Sequence, residues 1–140
     1  MSNINTSRLF TASCFALITT AFAFAIRAGI LGELSRKFGL TDTQLGYINQ
    51  MAILGFPIAT MVGGWLYNEF GPKRMMYIAL GSHLLGILMT LGANGFGLLL
   101  LSNFFVGFGN GTVEAACNPM ISNMFKENRT TMLNKFHVWF

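Results

Sequence analysis

The chain has 140 residues, 53% of them hydrophobic and only 10% charged, against about 25% charged in a soluble domain. That balance excludes a water-soluble domain of any size and fits helices that face lipid. A formal net charge of +4, scattered along the chain, excludes a basic nucleic-acid surface.

Residues 9–31 form the first apolar run, interrupted by Thr11, Ser13, Thr19, Thr20 and Arg27. A helix of that length is about 35 Å long, enough to cross the roughly 30 Å bilayer core. The run continues past the signal-peptidase-like Ala21-Phe22-Ala23, and more spans follow, which argues against a cleaved leader. Residues 32–44 are polar and hold Glu33, Arg36, Lys37 and Asp42. A second span is expected over residues 45–67, with Pro57 inside it. A short polar turn follows at 68–74, then a third span over 75–94 and a fourth over 98–125, with Asn118-Pro119 near its end. After the polar residues 126–131 the chain becomes apolar again over 132–140. Nine residues are too few for a span of about 20. They read as the start of a fifth helix, so the chain is expected to be the N-terminal part, residues 1–140, of a longer membrane protein. The two cysteines, Cys14 and Cys117, lie in apolar runs and read as small apolar residues. No spacing suggests a metal site, a cofactor or a nucleophile with its base, so no enzyme is expected.

The turn between spans two and three reads Gly64-Trp65-Leu66-Tyr67-Asn68-Glu69-Phe70-Gly71-Pro72-Lys73-Arg74. Gly64 lets another helix come close. Gly71 can end span two in a left-handed conformation, and Pro72 can open span three. Lys73 and Arg74 hold the turn on the cytoplasmic side. Asn68 can cap a helix end.

In span four, Asn103, Gly107, Asn110, Glu114 and Asn118 recur at spacings of four, three, four and four, so they share one helical face. A polar stripe in a membrane helix faces a cavity or other helices. Glu114 lies 17 residues after Gly97 and 11 before Phe125, near mid-depth. A charged carboxylate there costs about 2.5–3.5 kcal/mol. It is either a proton carrier or a protonated packing residue hydrogen-bonded to a neighbouring helix. Gly107 and Gly111 suit close helix packing. Arg27, one turn from the outer end of span one, either snorkels to the headgroups or lines a cavity, and Ser13, Thr20 and Arg27 repeat at seven. Gln50 is placed to line the outer part of a path. His83, mid-way along span three, is a neutral hydrogen-bond partner or a relay.

The turn resembles the G-x-L-x-D-x-x-G-x-K/R-K/R signature of the major facilitator superfamily, with Asn68 in place of the usual Asp and with Glu69 and Pro72 where basic residues are common. Glu114-Ala115-Ala116-Cys117-Asn118-Pro119 resembles the E-x-A-A-N-P segment of helix four in the fucose permease branch, the fucose–galactose–glucose:proton symporters. Leu133-Asn134, with His137 after it, is similar to the segment opening helix five there, and residues 38–46 are similar to the connection between helices one and two. The branch carries an Asp late in helix one, where this chain has Ala28 beside Arg27. The resemblance implies an all-α membrane fold, of which this chain holds transmembrane helices 1–4 and the start of helix 5. It implies proton coupling at Glu114. The residues expected to bind solute are Arg27, Gln50, Asn110, Asn118, Asn134 and His137. The expected partners are a small polar solute such as a sugar, H+, the bilayer and the missing C-terminal part of the transporter, with no nucleic acid.

The function expected is therefore secondary active transport by alternating access, as proton symport. The alternatives are a small four-helix dimeric multidrug exporter, also marked by one buried Glu, and a non-transporting membrane assembly subunit.

Orientation follows from the cations. Arg8, Lys73, Arg74, Lys126, Arg129 and Lys135 share one side, and only Arg36 and Lys37 the other. The expected location is the plasma membrane, or the inner membrane of a bacterium, with the N-terminus cytoplasmic. A single cysteine placed at position 42 of a cysteine-free variant should react with an impermeant thiol reagent from outside. Labelling only from the cytoplasmic side would invert the topology.

Overall fold

The computed structural model describes residues 5–140. The first four residues, with the start of the expected cytoplasmic N-terminus, lie outside the described residues. Four helices make up the fold: α1, Thr6–Phe38; α2, Asp42–Leu91; α3, Phe96–Met124; and α4, Arg129–His137. There is no strand among the described residues. The first three helices are long and apolar enough to cross a membrane.

Helix α1 begins where the Asn5 side chain accepts a hydrogen bond from the Arg8 amide at 2.9 Å. It runs about two turns beyond residue 31, where its apolar run ends. Glu33 and Arg36 pair across one turn there, both exposed. The helix stops at Gly39, whose φ of 61° and ψ of 38° lie in the left-handed region. Of the polar stretch 32–44, therefore, only residues 39–41 form the connection. Polarity marks where the chain leaves lipid, while glycine marks where it leaves the helix.

Helix α2 starts with a reciprocal cap. Thr41 Oγ1 accepts from the Gln44 amide, and Gln44 Oε1 accepts from the Thr41 amide at 3.0 Å. A straight helix of its 50 residues would be about 75 Å long, more than twice the bilayer core. It is broken instead at Gly71, with φ 71° and ψ 167°. That extended positive-φ conformation differs from the left-handed helical one expected, and is essentially reserved for glycine. Pro72 then opens the second arm.

The contacts with α3 show that the arms are antiparallel. Along the first arm, Ala52, Ala59 and Gly63 meet Gly107, Gly111 and Ala115 in rising order. Along the second, His83 meets Gly109 while Gly86 meets Val106 and Ser102, in falling order. Spans two and three are thus the two arms of α2, and α3 lies against both.

The approach to α3 is backbone to backbone. A Cβ added at Gly107 would fall on the Ala52 carbonyl, and one at Gly55 on the Phe104 carbonyl. At Gly111 it would meet the Phe56 carbonyl, and at Gly63 the Ala115 side chain. At Gly86 it would lie 2.6 Å from Val106 Cγ2. A Cβ at Gly64, by contrast, meets nothing within 4 Å: the glycine that admits α3 is its neighbour Gly63.

Around α3, Cys14 and Leu17 of α1 pack with Ala79 of α2, with Val113, Cys117 and Ile121 of α3, and with Phe136 of α4. Phe10 and Phe125 close this cluster edge to face, with centroids 5.8 Å apart. Helix α3 is therefore the hub, and its buried centre positions the polar face of span four.

Gly107→Leu should lower the stability of the folded chain in detergent by about 1–3 kcal/mol through overpacking. Gly64→Leu should change it by less than about 0.5 kcal/mol, as for an unconstrained surface position. Equal losses in a denaturation series would refute the close approach at Gly107.

Candidate functional site

The polar residues of α3 divide into two groups by what packs against them. Near its start, Asn103 is 4% exposed. Its amide donates to the Leu99 carbonyl at 2.8 Å, while its Oδ1 has no partner among the described residues. Thr90 of α2 donates to Ser102 Oγ at 3.1 Å. One turn beyond Gly107, Asn110 is fully buried, and its Oδ1 lies 2.6 Å from Nε2 of His83, itself 6% exposed.

The chemistry of that pair follows from its partners. His83 Nδ1 faces the Ala79 carbonyl at 2.9 Å, and a carbonyl only accepts, so Nδ1 carries a proton. In a neutral ring Nε2 is then an acceptor. The Asn110 atom against Nε2 is Oδ1, also an acceptor, while Nδ2 is buried without a partner among the described residues; turning the amide by 180° presents Nδ2 as the donor and satisfies both groups. Histidine and asparagine thus join the second arm of α2 to α3 at a depth where lipid offers no alternative partner.

The second group lies further along α3. Glu114 is partly buried, with its side chain 19% exposed. Asn118, one turn on, donates to Glu114 Oε2 at 3.4 Å, and Asn118 Oδ1 is buried without a partner among the described residues. His137 of α4 places Nε2 3.8 Å from the same Glu114 oxygen. Three residues singled out in the sequence, Glu114, Asn118 and His137, are thereby brought together from two helices. A carboxyl with an amide on one side and an imidazole on the other can hold or release a proton and can orient a hydroxylated solute.

Arg27 is half-buried on α1. Nη1 donates to Asn49 Oδ1 at 2.8 Å, the guanidinium lies 5.3 Å from the Phe24 ring centroid, and Nε has no partner. Arg27, His83, Asn103 and Thr90 line an otherwise apolar cavity of about 260 Å³ between α1, the second arm of α2 and α3. A larger cavity of about 470 Å³ lies near the hairpin, lined by Ser13, Lys73, Tyr77 and Cys117. Glu114 lines neither.

Gln50 and Asn134 are exposed, as are Asn68, Lys73 and Arg74 of the hairpin. Asn49, which sequence reasoning passed over, is the α2 residue that meets Arg27. Neighbouring positions on a helix point about 100° apart, so whether Asn49 or Gln50 faces α1 depends on the packing of α2. The signal that could have found it is the adjacent pair of amides within an apolar run. Among the described residues no cluster of His, Cys, Asp or Glu is arranged to hold a metal ion.

Comparison with known proteins matches residues 13–140 to the family described as the Major Facilitator Superfamily. The cis,cis-muconate transport protein of Acinetobacter baylyi is 27% identical over 74% of this chain and 25% of its own length. A probable nitrate/nitrite antiporter of Thermus thermophilus is 33% identical over 64% of this chain and 20% of its own. The hexuronate transporter of Bacillus subtilis is 30% identical over 73% of this chain and 27% of its own. The chain thus spans about a quarter of the length of such relatives. No solved structure matches it.

His83→Ala and Asn110→Ala should each destabilise the chain in detergent. A double-mutant cycle should return a coupling of about 0.6–1.7 kcal/mol, the range of hydrogen bonds between membrane helices. Strict additivity would show that the two side chains are neighbours without a bond.

Proposed function

The chain belongs to the major facilitator superfamily, and from that premise we propose that it forms the N-terminal part of a proton-coupled symporter for a sugar or similar small polar solute. The mechanism would be alternating access, one helical bundle rocking against another about a site near the bilayer midplane. The carrying observation is Glu114: an acid within the buried centre of a membrane helix, with Asn118 and His137 against it. Ionisable groups at that depth mark solute paths and proton relays.

In this reading Glu114 carries the proton, and Asn118 and His137, with Arg27, Gln50, Asn110 and Asn134, belong to the solute path or its support. The hairpin residues Gly64, Asn68, Gly71, Lys73 and Arg74 form the cytoplasmic turn that holds spans two and three in register. With Asn68 in place of an acid, the turn holds by shape and by its cations rather than by a carboxylate latch. The N-terminus and residues 68–74 are cytoplasmic.

A second reading of the solute rests on Arg27. Its Nε is buried and unpaired, which suits an acceptor. Relatives named for muconate and hexuronate transport take carboxylates by those names. Both features favour a sugar acid over a neutral sugar.

One set of vesicles carrying the full-length transporter tests both. Glu114→Gln keeps shape and hydrogen bonding but cannot titrate, so it should abolish uphill, pH-gradient-driven accumulation and largely spare exchange. Arg27→Gln should weaken uptake of a sugar acid by about 10- to 100-fold, the equivalent of a charged hydrogen bond of about 1.5–3 kcal/mol, and leave a neutral sugar alone. Accumulation by Glu114→Gln that matches the parent at every pH would reduce Glu114 to a packing residue.

A further inference from the structure

The imidazole against Glu114 sits in an arrangement that decides its protonation chemistry. His137 Nδ1 lies 2.8 Å from the Leu133 carbonyl of its own helix. A carbonyl can only accept, so Nδ1 carries the proton and, in the neutral ring, Nε2 keeps a lone pair. That lone pair is the atom facing Glu114 Oε2 across 3.8 Å. The distance is about 1 Å beyond a hydrogen bond, within reach of a side-chain rotation or one bridging water. His137 has room for it, because its side chain is 43% exposed.

The helices meet at matching depth. Glu114 is ten residues, about 15 Å, before the end of α3, and His137 is eight residues, about 12 Å, beyond the start of α4. The short connection between the two helices therefore fixes the pairing. Among the described residues no other basic group lies within ion-pair reach of Glu114. Titratable groups in the packing around the pair are Cys117 on α3 and Cys14 on α1, with Lys73 of α2 at the cavity that Cys117 lines; α4 itself also carries Arg129 and Lys135.

We infer that Glu114 and His137 form a dyad that shares one transported proton, His137 acting as its second carrier rather than as a ligand of the solute. This rests on the reading of Glu114 as the proton-linked carboxyl. The O–H bond of protonated Glu114 breaks and its proton passes to the Nε2 lone pair, leaving a carboxylate and an imidazolium held as an ion pair. The reverse step restores the neutral pair. The dyad's net charge is the same in both forms, so the proton moves between helices without leaving a lone charge in the membrane. Asn118, bonded to the same Oε2, holds the carboxyl toward α4.

The test uses the full-length transporter in vesicles and in nanodiscs. His137→Gln fills similar space at an exposed position and cannot take a proton. It should lose gradient-driven accumulation and flatten the pH profile of exchange as Glu114→Gln does. The double variant should be no worse than either single one. In the nanodiscs, the 15N signals of His137 should report proton gain over a pH range that moves when Glu114 becomes Gln. If Glu114→Gln loses coupling while His137→Gln keeps the parent's pH profile and the 15N titration is unmoved, the dyad is refuted and Glu114 acts alone. If Glu114→Gln itself retains coupling, the reading of Glu114 fails and the dyad with it.

Discussion

The structure depends on how closely the backbone of α3 approaches that of α2. Lipid tails are as apolar as leucine, so burying apolar side chains between two membrane helices provides little drive. What holds the helices is contact at short range and the polar bonds it permits. Gly107 against Ala52, Gly55 against Phe104 and Gly111 against Phe56 leave no space for a methyl group. Because both arms of α2 meet α3, these contacts also set the hairpin: the reversal at Gly71 must return the second arm to the same partner.

Close approach has a consequence for polar groups. An asparagine in a membrane helix finds a partner within its own helix, on a neighbour, or nowhere. Asn103 turns its amide back to the Leu99 carbonyl, Asn110 reaches across to His83, and Asn118 reaches along α3 to Glu114. One helix thus carries one polar contact buried against α2 and another, partly exposed, against α4. The difference lies in exposure: Asn110 is fully buried and His83 nearly so, whereas Glu114 and His137 are partly exposed.

Arg27 shows the same logic at the edge of the fold. Its guanidinium is held by Asn49 and lies near the Phe24 ring, and its buried Nε has no partner among the described residues.

Membrane helices as such were legible from the sequence, because apolar length and scarcity of charge are properties of a segment alone. The hairpin was legible too: a positive-φ turn demands Gly71, and Pro72 suits the first turn of the second arm. So was the polar face of span four, since its residues repeat with the helical period. Helix ends were less legible. The Glu33–Arg36 pair and the cap at Gly39 carry α1 past the residues where its hydrophobicity fades. What the sequence could not decide was which neighbour each polar group meets. Gly63 rather than Gly64, Asn49 rather than Gln50, and His83 as the partner of Asn110 all turn on rotation of one helix about its axis against another. That rotation comes from side-chain fit between segments far apart in the chain, which no local period encodes. The meeting of Glu114 with His137 is of the same kind: each is visible alone as a polar residue, and only the packing of α4 against α3 makes them a pair.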